Sequence, residues 1–167
     1  MREILFPLCL AILISLTGCW HSDTADYLIP ANYTGRIAVV FNQQQGQKPK
    51  YSNGRRIYEI PANGILLTQF DYKPGFVNYR YFHVDKKGNK TLLPIYEYDY
   101  NKDGTVHYLV KNKEQIGIFG NGTSVAYASD GSAPGLEVFV STFNGLDTVE
   151  KMEHFNQRVD TLLGLAH

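Results

Sequence analysis

Arg36-Ile37-Ala38-Val39-Val40-Phe41-Asn42 carries five consecutive apolar residues, Ile37 to Phe41. Successive side chains of a strand point to opposite faces, so this segment is apolar on both. A strand with one wet face would alternate with polar residues, and the pattern therefore predicts a central sandwich strand covered from two sides. Upstream, Asn32-Tyr33-Thr34-Gly35 is a turn cluster, and Tyr27-Leu28-Ile29-Pro30 opens the fold, with Pro30 favouring extended backbone before it. Downstream, the polar stretch Gln43 to Asn53 interrupts the apolar pattern. Arg55-Arg56-Ile57-Tyr58-Glu59-Ile60 then alternates, Pro61-Ala62-Asn63-Gly64 turns the chain, and Ile65-Leu66-Leu67-Thr68 forms a short strand.

Further out the strand signals continue. Val77 to Val84 is rich in aromatics, and Asp85-Lys86-Lys87-Gly88-Asn89 makes a hairpin connection. Ile95 to Tyr100 alternates, placing Tyr96, Tyr98 and Tyr100 on one face, before Asn101-Lys102-Asp103-Gly104 turns into Thr105 to Lys111. Ile116 to Phe119 follows, then a loop region from Gly120 to Gly135 around a short strand, Ser124 to Ala128. Glu137 to Ser141 is the last strand. The chain closes with one helix over residues 148–163, with Asp147 as N-cap, Glu150 completing a capping box, and Val149, Met152, Phe155, Val159 and Leu162 as its apolar stripe. These elements predict a mainly β chain: an antiparallel β-sandwich-like domain with one C-terminal α-helix docked on it.

Two local patterns resemble known families. Tyr27-Leu28-Ile29-Pro30, Gly35, and Ile60-Pro61-Ala62-Asn63-Gly64-Ile65-Leu66-Leu67-Thr68 resemble an uncharacterised family of bacterial secreted and lipid-anchored domains with the signature YLIP…G…IPxxGxxxT. That resemblance implies an all-β start and brings no catalytic residues. A transthyretin-like sandwich is a second analogy, at the level of fold alone. At the N-terminus, Met1-Arg2-Glu3 precedes an apolar run from Ile4 to Leu16 that ends in Leu16-Thr17-Gly18-Cys19. This resembles the lipobox of bacterial lipoproteins, which implies cleavage after Gly18, a diacylglyceryl thioether and palmitate-type acylation on Cys19, and a membrane anchor of several acyl chains. An apolar run of this length is too short to span a bilayer. The expected organisation is a signal peptide over residues 1–18, a tether over residues 19–26, and a single β-rich domain over residues 27–167.

Removal of 18 residues from 167 leaves 149, the size of one domain. Aromatics make up 13%, led by twelve tyrosines, which suits strands. Lys+Arg and Asp+Glu balance at 16 each, so no basic footprint for nucleic acid exists. Cys9 falls in the segment expected to be removed and Cys19 carries the lipid, leaving no thiol for a disulfide, a zinc site or a nucleophile.

Chemistry-bearing patterns are sparse. Asp99, Asn101 and Asp103 with Gly104 match the first half of a calcium loop, yet Val110 stands where the bidentate Glu belongs, and the same residues favour a plain hairpin turn. The histidines lack metal spacing, and Glu150 with His154 reads as a surface pair on the helix. Ser141, His83 and Asp85 are a trio that only folding could assemble, and no motif specifies a cofactor. Tyr79, Tyr81, Tyr96, Tyr98, Tyr100 and Tyr108 fall in neighbouring predicted strands. They build either a binding face for a protein or a glycan, or a packed aromatic layer. The resulting expectation is a lipid-anchored protein of the cell envelope, in the outer membrane facing the periplasm if the bacterium has two membranes, acting as a non-catalytic binding or assembly module. The alternatives are an immunity-type lipoprotein that neutralises a protein toxin and a small envelope hydrolase.

Overall fold

A computed structural model describes residues 23–75, 77–128, 132–150 and 154–165. Two sheets face each other across the main core. The five-stranded sheet has the order β3-β4-β1-β6-β7, from β1 (Asp23–Pro30), β3 (Tyr51–Ser52), β4 (Arg55–Glu59), β6 (Val77–Val84) and β7 (Lys90–Leu92). The four-stranded sheet has the order β10-β11-β2-β5, from β2 (Gly35–Val40), β5 (Ile65–Leu67), β10 (Gly117–Ala126) and β11 (Pro134–Ser141). A separate two-stranded hairpin comprises β8 (Tyr98–Tyr100) and β9 (Val106–Tyr108). The chain is thus mainly β and sandwich-like, with α1 (Leu146–Glu150) and α2 (Phe155–Leu163) following the last strand.

The segment from Ile37 to Phe41 is buried on both faces. Ile37, Val39 and Phe41 enter the core between the sheets, while Ala38 and Val40 lie under α2 with Phe155 and Val159. The pairing is mixed, however, where the hairpin signals had suggested antiparallel strands throughout: β1 runs parallel to β4 and to β6, and β2 parallel to β5. Each successive strand from β1 through β2, β4 and β5 to β6 crosses to the other sheet. A chain that reverses at every crossing returns to each sheet in its former direction, so strands that share a sheet come out parallel.

Three further expectations are corrected. The stretch read as a tether ends earlier, because β1 starts at Asp23 and both Ala25 and Asp26 are buried. Ala25 continues inward the alternation of Tyr27 and Ile29. Asp26 faces the other way and is held by Arg80 Nε (2.8 Å to Oδ1) and Nη2 (2.6 Å to Oδ2), and by Arg55 Nε (2.5 Å to Oδ1). The helix over residues 148–163 is two helices, since His154 takes the left-handed conformation at φ 62°. Asp147 lies in the first turn of α1 and not before it; Met152 lies outside the described residues, as do the side chains of Val149 and Glu150. The buried stripe of α2 is Phe155, Val159 and the half-buried Leu163, with Leu162 turned outward. Finally, Gly120 to Ala126 is not a loop but belongs to β10, which bulges between Phe119 and Thr123 with Gly120 and Gly122 at positive φ.

Beneath α2, Arg36 grips Glu137 in a two-pronged ion pair (Nε to Oε2 2.9 Å, Nη2 to Oε1 2.9 Å), and Tyr127 donates its hydroxyl to Glu137 Oε1 at 2.6 Å. Burial and the neighbouring Glu137 carboxylate push the Tyr127 pKa far up. The Arg36 guanidinium also lies 4.9 Å from the Phe155 ring centre, so the helix covers the charge pair and stacks on it.

Candidate binding surface

The tyrosines named from the sequence separate into two groups. Tyr79 and Tyr81 point into the main core, where Tyr27 meets both (ring centres 5.4 and 4.6 Å) as well as Tyr58 (5.0 Å). Tyr96 is buried against Phe119 at 4.9 Å, with its hydroxyl donating to the Gln115 carbonyl at 3.1 Å. These three are packing residues and no binding face. Tyr98 and Tyr100 differ: they are 45% and 63% exposed.

Both stand on the hairpin, whose register pairs Tyr98 with Tyr108 and Tyr100 with Val106. Residues opposite each other or two apart share a face, so Tyr98, Tyr100, Val106 and Tyr108 form one apolar side, and Asp99 with His107 the other. The aromatic rings interlock edge-to-face, Tyr98 with Tyr100 at 5.6 Å and with Tyr108 at 5.8 Å. Tyr108 in turn packs on Phe119 of β10 at 4.9 Å, so the base of the hairpin is seated on the sandwich while Tyr98 and Tyr100 keep solvent-exposed surface. A groove of about 410 Å³ runs between Val106 to Tyr108 and the segment Phe143 to Asp147, and a second, of about 350 Å³, lies between Leu109 to Lys113 and Phe143. Exposed large apolar side chains are ordinary singly, but Tyr98, Tyr100, Val106 and Leu109 are gathered on one hairpin. The sequence signal for this site, alternation at Tyr96-Glu97-Tyr98-Asp99-Tyr100, did not distinguish Tyr96 from the other two.

The tip of the hairpin contains the calcium-like residues. Asn101 accepts from Gly104 N–H and donates its own to Thr105, both at 2.9 Å, closing the turn. The Asn101 side chain donates to Thr105 Oγ1 (2.8 Å), Asp103 Oδ1 accepts from Thr105 N–H (2.9 Å) and hydroxyl (2.7 Å), and Asp99 Oδ1 accepts from Tyr100 N–H (2.8 Å). One carboxylate oxygen of Asp99 and one of Asp103 are thus taken up by hydrogen bonds within the hairpin, and Asn101 engages Thr105 through its side-chain nitrogen. Hydrogen bonds from Thr105 accordingly hold the Asp103 carboxyl below its ordinary pKa.

The trio Ser141, His83 and Asp85 is divided among separate environments. His83 lies on β6 with Nε2 3.1 Å from the Tyr33 carbonyl, and burial lowers its pKa. Asp85 accepts from the amides of Lys87 and Asn89 in its own turn, and Ser141 is buried on β11 opposite Gly117 in the other sheet. A third depression, of about 400 Å³, is lined by Asn42, Gln43, Gln44, Gln69 and Asp71, a set of amides and one carboxylate. Cys19 lies outside the described residues.

The fold has a solved counterpart. A 2.75 Å crystal structure of a candidate lipoprotein from Bacillus anthracis superposes with a TM-score of 0.54 at 20% identity, covering 85% of this chain and 91% of that one. At that identity the likeness is one of fold. No curated protein matches the chain. A family model does match, over residues 21–131, a span that runs from before β1 through the hairpin and the whole of β10. The chain belongs to that family, a family of unknown function designated DUF6843.

Proposed function

We propose that this is a lipid-anchored protein of the bacterial cell envelope, held by Cys19, that acts by binding a protein partner through the β8–β9 hairpin. The observation that carries the binding reading is the exposure of Tyr98 and Tyr100 on a hairpin standing outside both main sheets, while the tyrosines of β1, β4 and β6 are consumed by the core. Exposed, mutually braced tyrosines present large contact area with few rotatable bonds, which is why such residues anchor interfaces. The lipobox-like Leu16-Thr17-Gly18-Cys19 supports the anchor, as does the likeness in fold to a Bacillus anthracis candidate lipoprotein. In a two-membrane bacterium the expected site is the outer membrane, facing the periplasm. The aromatic face equally suits the toxin-neutralising reading, in which the partner is an incoming protein.

Affinity capture from the protein's own membranes tests the proposal, with wild type and the Tyr98→Ser/Tyr100→Ser variant side by side. A partner retained by wild type and lost from the equally stable variant is the expected result; identical captures would place the binding surface elsewhere. Cys19→Ala tests the anchor separately, since it should leave the domain in the soluble envelope fraction or as uncleaved precursor.

A further inference from the structure

We propose that one end of the sandwich, made by the start of β1, the Ser52–Arg55 turn and the Tyr72–Gly75 loop, lies directly on the lipid headgroups, oriented by the strand itself. The proposal rests on the lipid-anchor reading. Only Trp20, His21 and Ser22 separate Cys19 from Asp23, the first residue of β1. Even fully extended, that interval reaches about 14 Å. A tether of this length leaves little room for the domain to tumble.

The register identifies what is brought down with Asp23. Val77 pairs with Asp23, and Arg56 pairs with both Ala25 and Tyr51, so the β3–β4 turn and the loop entering β6 stand level with the start of β1. Arg55 ties this end together, donating from β4 to Asp26 Oδ1 and to the carbonyls of Ala25 on β1 (2.9 Å) and, beyond it, of Asn78 on β6 (2.7 Å). Because β1 is the central strand of its sheet and is paired on both sides, the anchor pulls on the best-held part of the fold. Asn53, Ser52, Lys73 and the 61% exposed Tyr51 are exposed at this end, polar or cationic side chains with a tyrosine, as suits the headgroup layer; the sequence also brings one acidic residue, Asp23, to it. The opposite end, with Pro61–Gly64 and Asp85–Asn89, stands about 23 Å away along β1.

The mature chain offers no other free thiol, so single cysteines can report on this directly. Ser52→Cys and Lys73→Cys mark the anchor end, and Ala62→Cys and Lys87→Cys the far end; all four positions are exposed. Each lipidated variant is labelled with a fluorophore and reconstituted into phosphatidylethanolamine/phosphatidylglycerol vesicles that carry a headgroup-linked quencher. Quenching several-fold stronger at positions 52 and 73 than at 62 and 87 is expected, and a long Gly-Ser insertion between Ser22 and Asp23 should abolish the contrast. Equal quenching at all four positions in a protein shown by mass to carry lipid overturns the orientation alone, and a contrast that survives the insertion overturns the tether as its cause. Absence of lipid on the wild-type protein overturns the anchor reading and the orientation with it.

Discussion

At the scale of single residues, two buried tyrosine hydroxyls, one on β1 and one paired with it on β6, have opposite circumstances. The Tyr27 hydroxyl is enclosed among Tyr58, Tyr79 and Tyr81 and has no hydrogen-bond partner among the described residues, whereas the Tyr81 hydroxyl donates to Asn121 Oδ1 at 2.7 Å. An unmade buried hydrogen bond costs about 1 to 3 kcal/mol and a made one contributes about 1 kcal/mol. Tyr27→Phe should therefore raise stability by about 1 kcal/mol and Tyr81→Phe lower it by a similar amount, as read by urea midpoints. The Asp26 carboxyl is pushed up by burial but held lower overall by Arg80 and Arg55, ending below its ordinary value of 3.8. The folded state thus binds this proton less readily than the unfolded chain, so the contribution is complete above the ordinary value and drains away as pH falls through the lower folded one. Removing the anion while leaving two guanidiniums, in Asp26→Ala, should cost about 3 kcal/mol at neutral pH, and the acid limb of the stability curve below about pH 4 should become shallower. Sequence reading missed Asp26 for a plain reason. An aspartate beside a short alanine looks like linker until Arg55 and Arg80, distant in sequence, are brought to its two sides.

At the scale of elements, α2 and the hairpin both lean aromatic residues on the outer face of the four-stranded sheet, and they differ in how completely those residues are covered. Phe155 is fully buried between the guanidiniums of Arg36 (4.9 Å) and Arg158 (5.3 Å), with Val159 beside it. Phe155→Ala should cost about 3 to 5 kcal/mol, the usual penalty for a large aromatic truncated in a core. Tyr98→Ala and Tyr100→Ala remove side chains that are 45% and 63% exposed, so each should move the denaturation midpoint far less than a core truncation. If Tyr98→Ala cost as much as Phe155→Ala, the hairpin would be part of the core and unavailable as an interface. The docking of α2 was legible from its apolar spacing, and the double burial of β2 from the run Ile37 to Phe41. The fate of the tyrosines was not: Tyr81 and Tyr98 belong to equally aromatic stretches, and only the presence of a second sheet over one, and of none over the other, decides which is core.

At the scale of the whole molecule, the weaving of strands between sheets makes the sandwich indivisible. Parallel pairing itself was hidden from the sequence, because Pro61-Ala62-Asn63-Gly64 looks like a hairpin turn whether its two strands share a sheet or cross between sheets. The family match ends at residue 131, yet β11 begins at Pro134 and lies between β10 and β2, paired antiparallel to each. It delivers Leu136, Val138 and Val140 to the main core and Glu137 to Arg36. Without it β10 loses its paired neighbour in the sheet, β2 keeps only the short β5, and the Arg36 guanidinium is left under no helix and beside no carboxylate. Burial of three aliphatic side chains at about 1.5 to 3 kcal/mol each is of the order of a domain's whole stability. A chain truncated after Gly131 should consequently lack a cooperative unfolding transition by circular dichroism, although it retains every residue of the family match. One truncated after Ser141 keeps both sheets and loses the helices together with the Phe143 segment before them, and it should fold with a transition lowered by the exposure of Ala38, Val40 and Ile65. A cooperative transition in the shorter chain would show that the five-stranded sheet and the hairpin stand without their partner sheet, and that the core between the sheets is not what holds this fold.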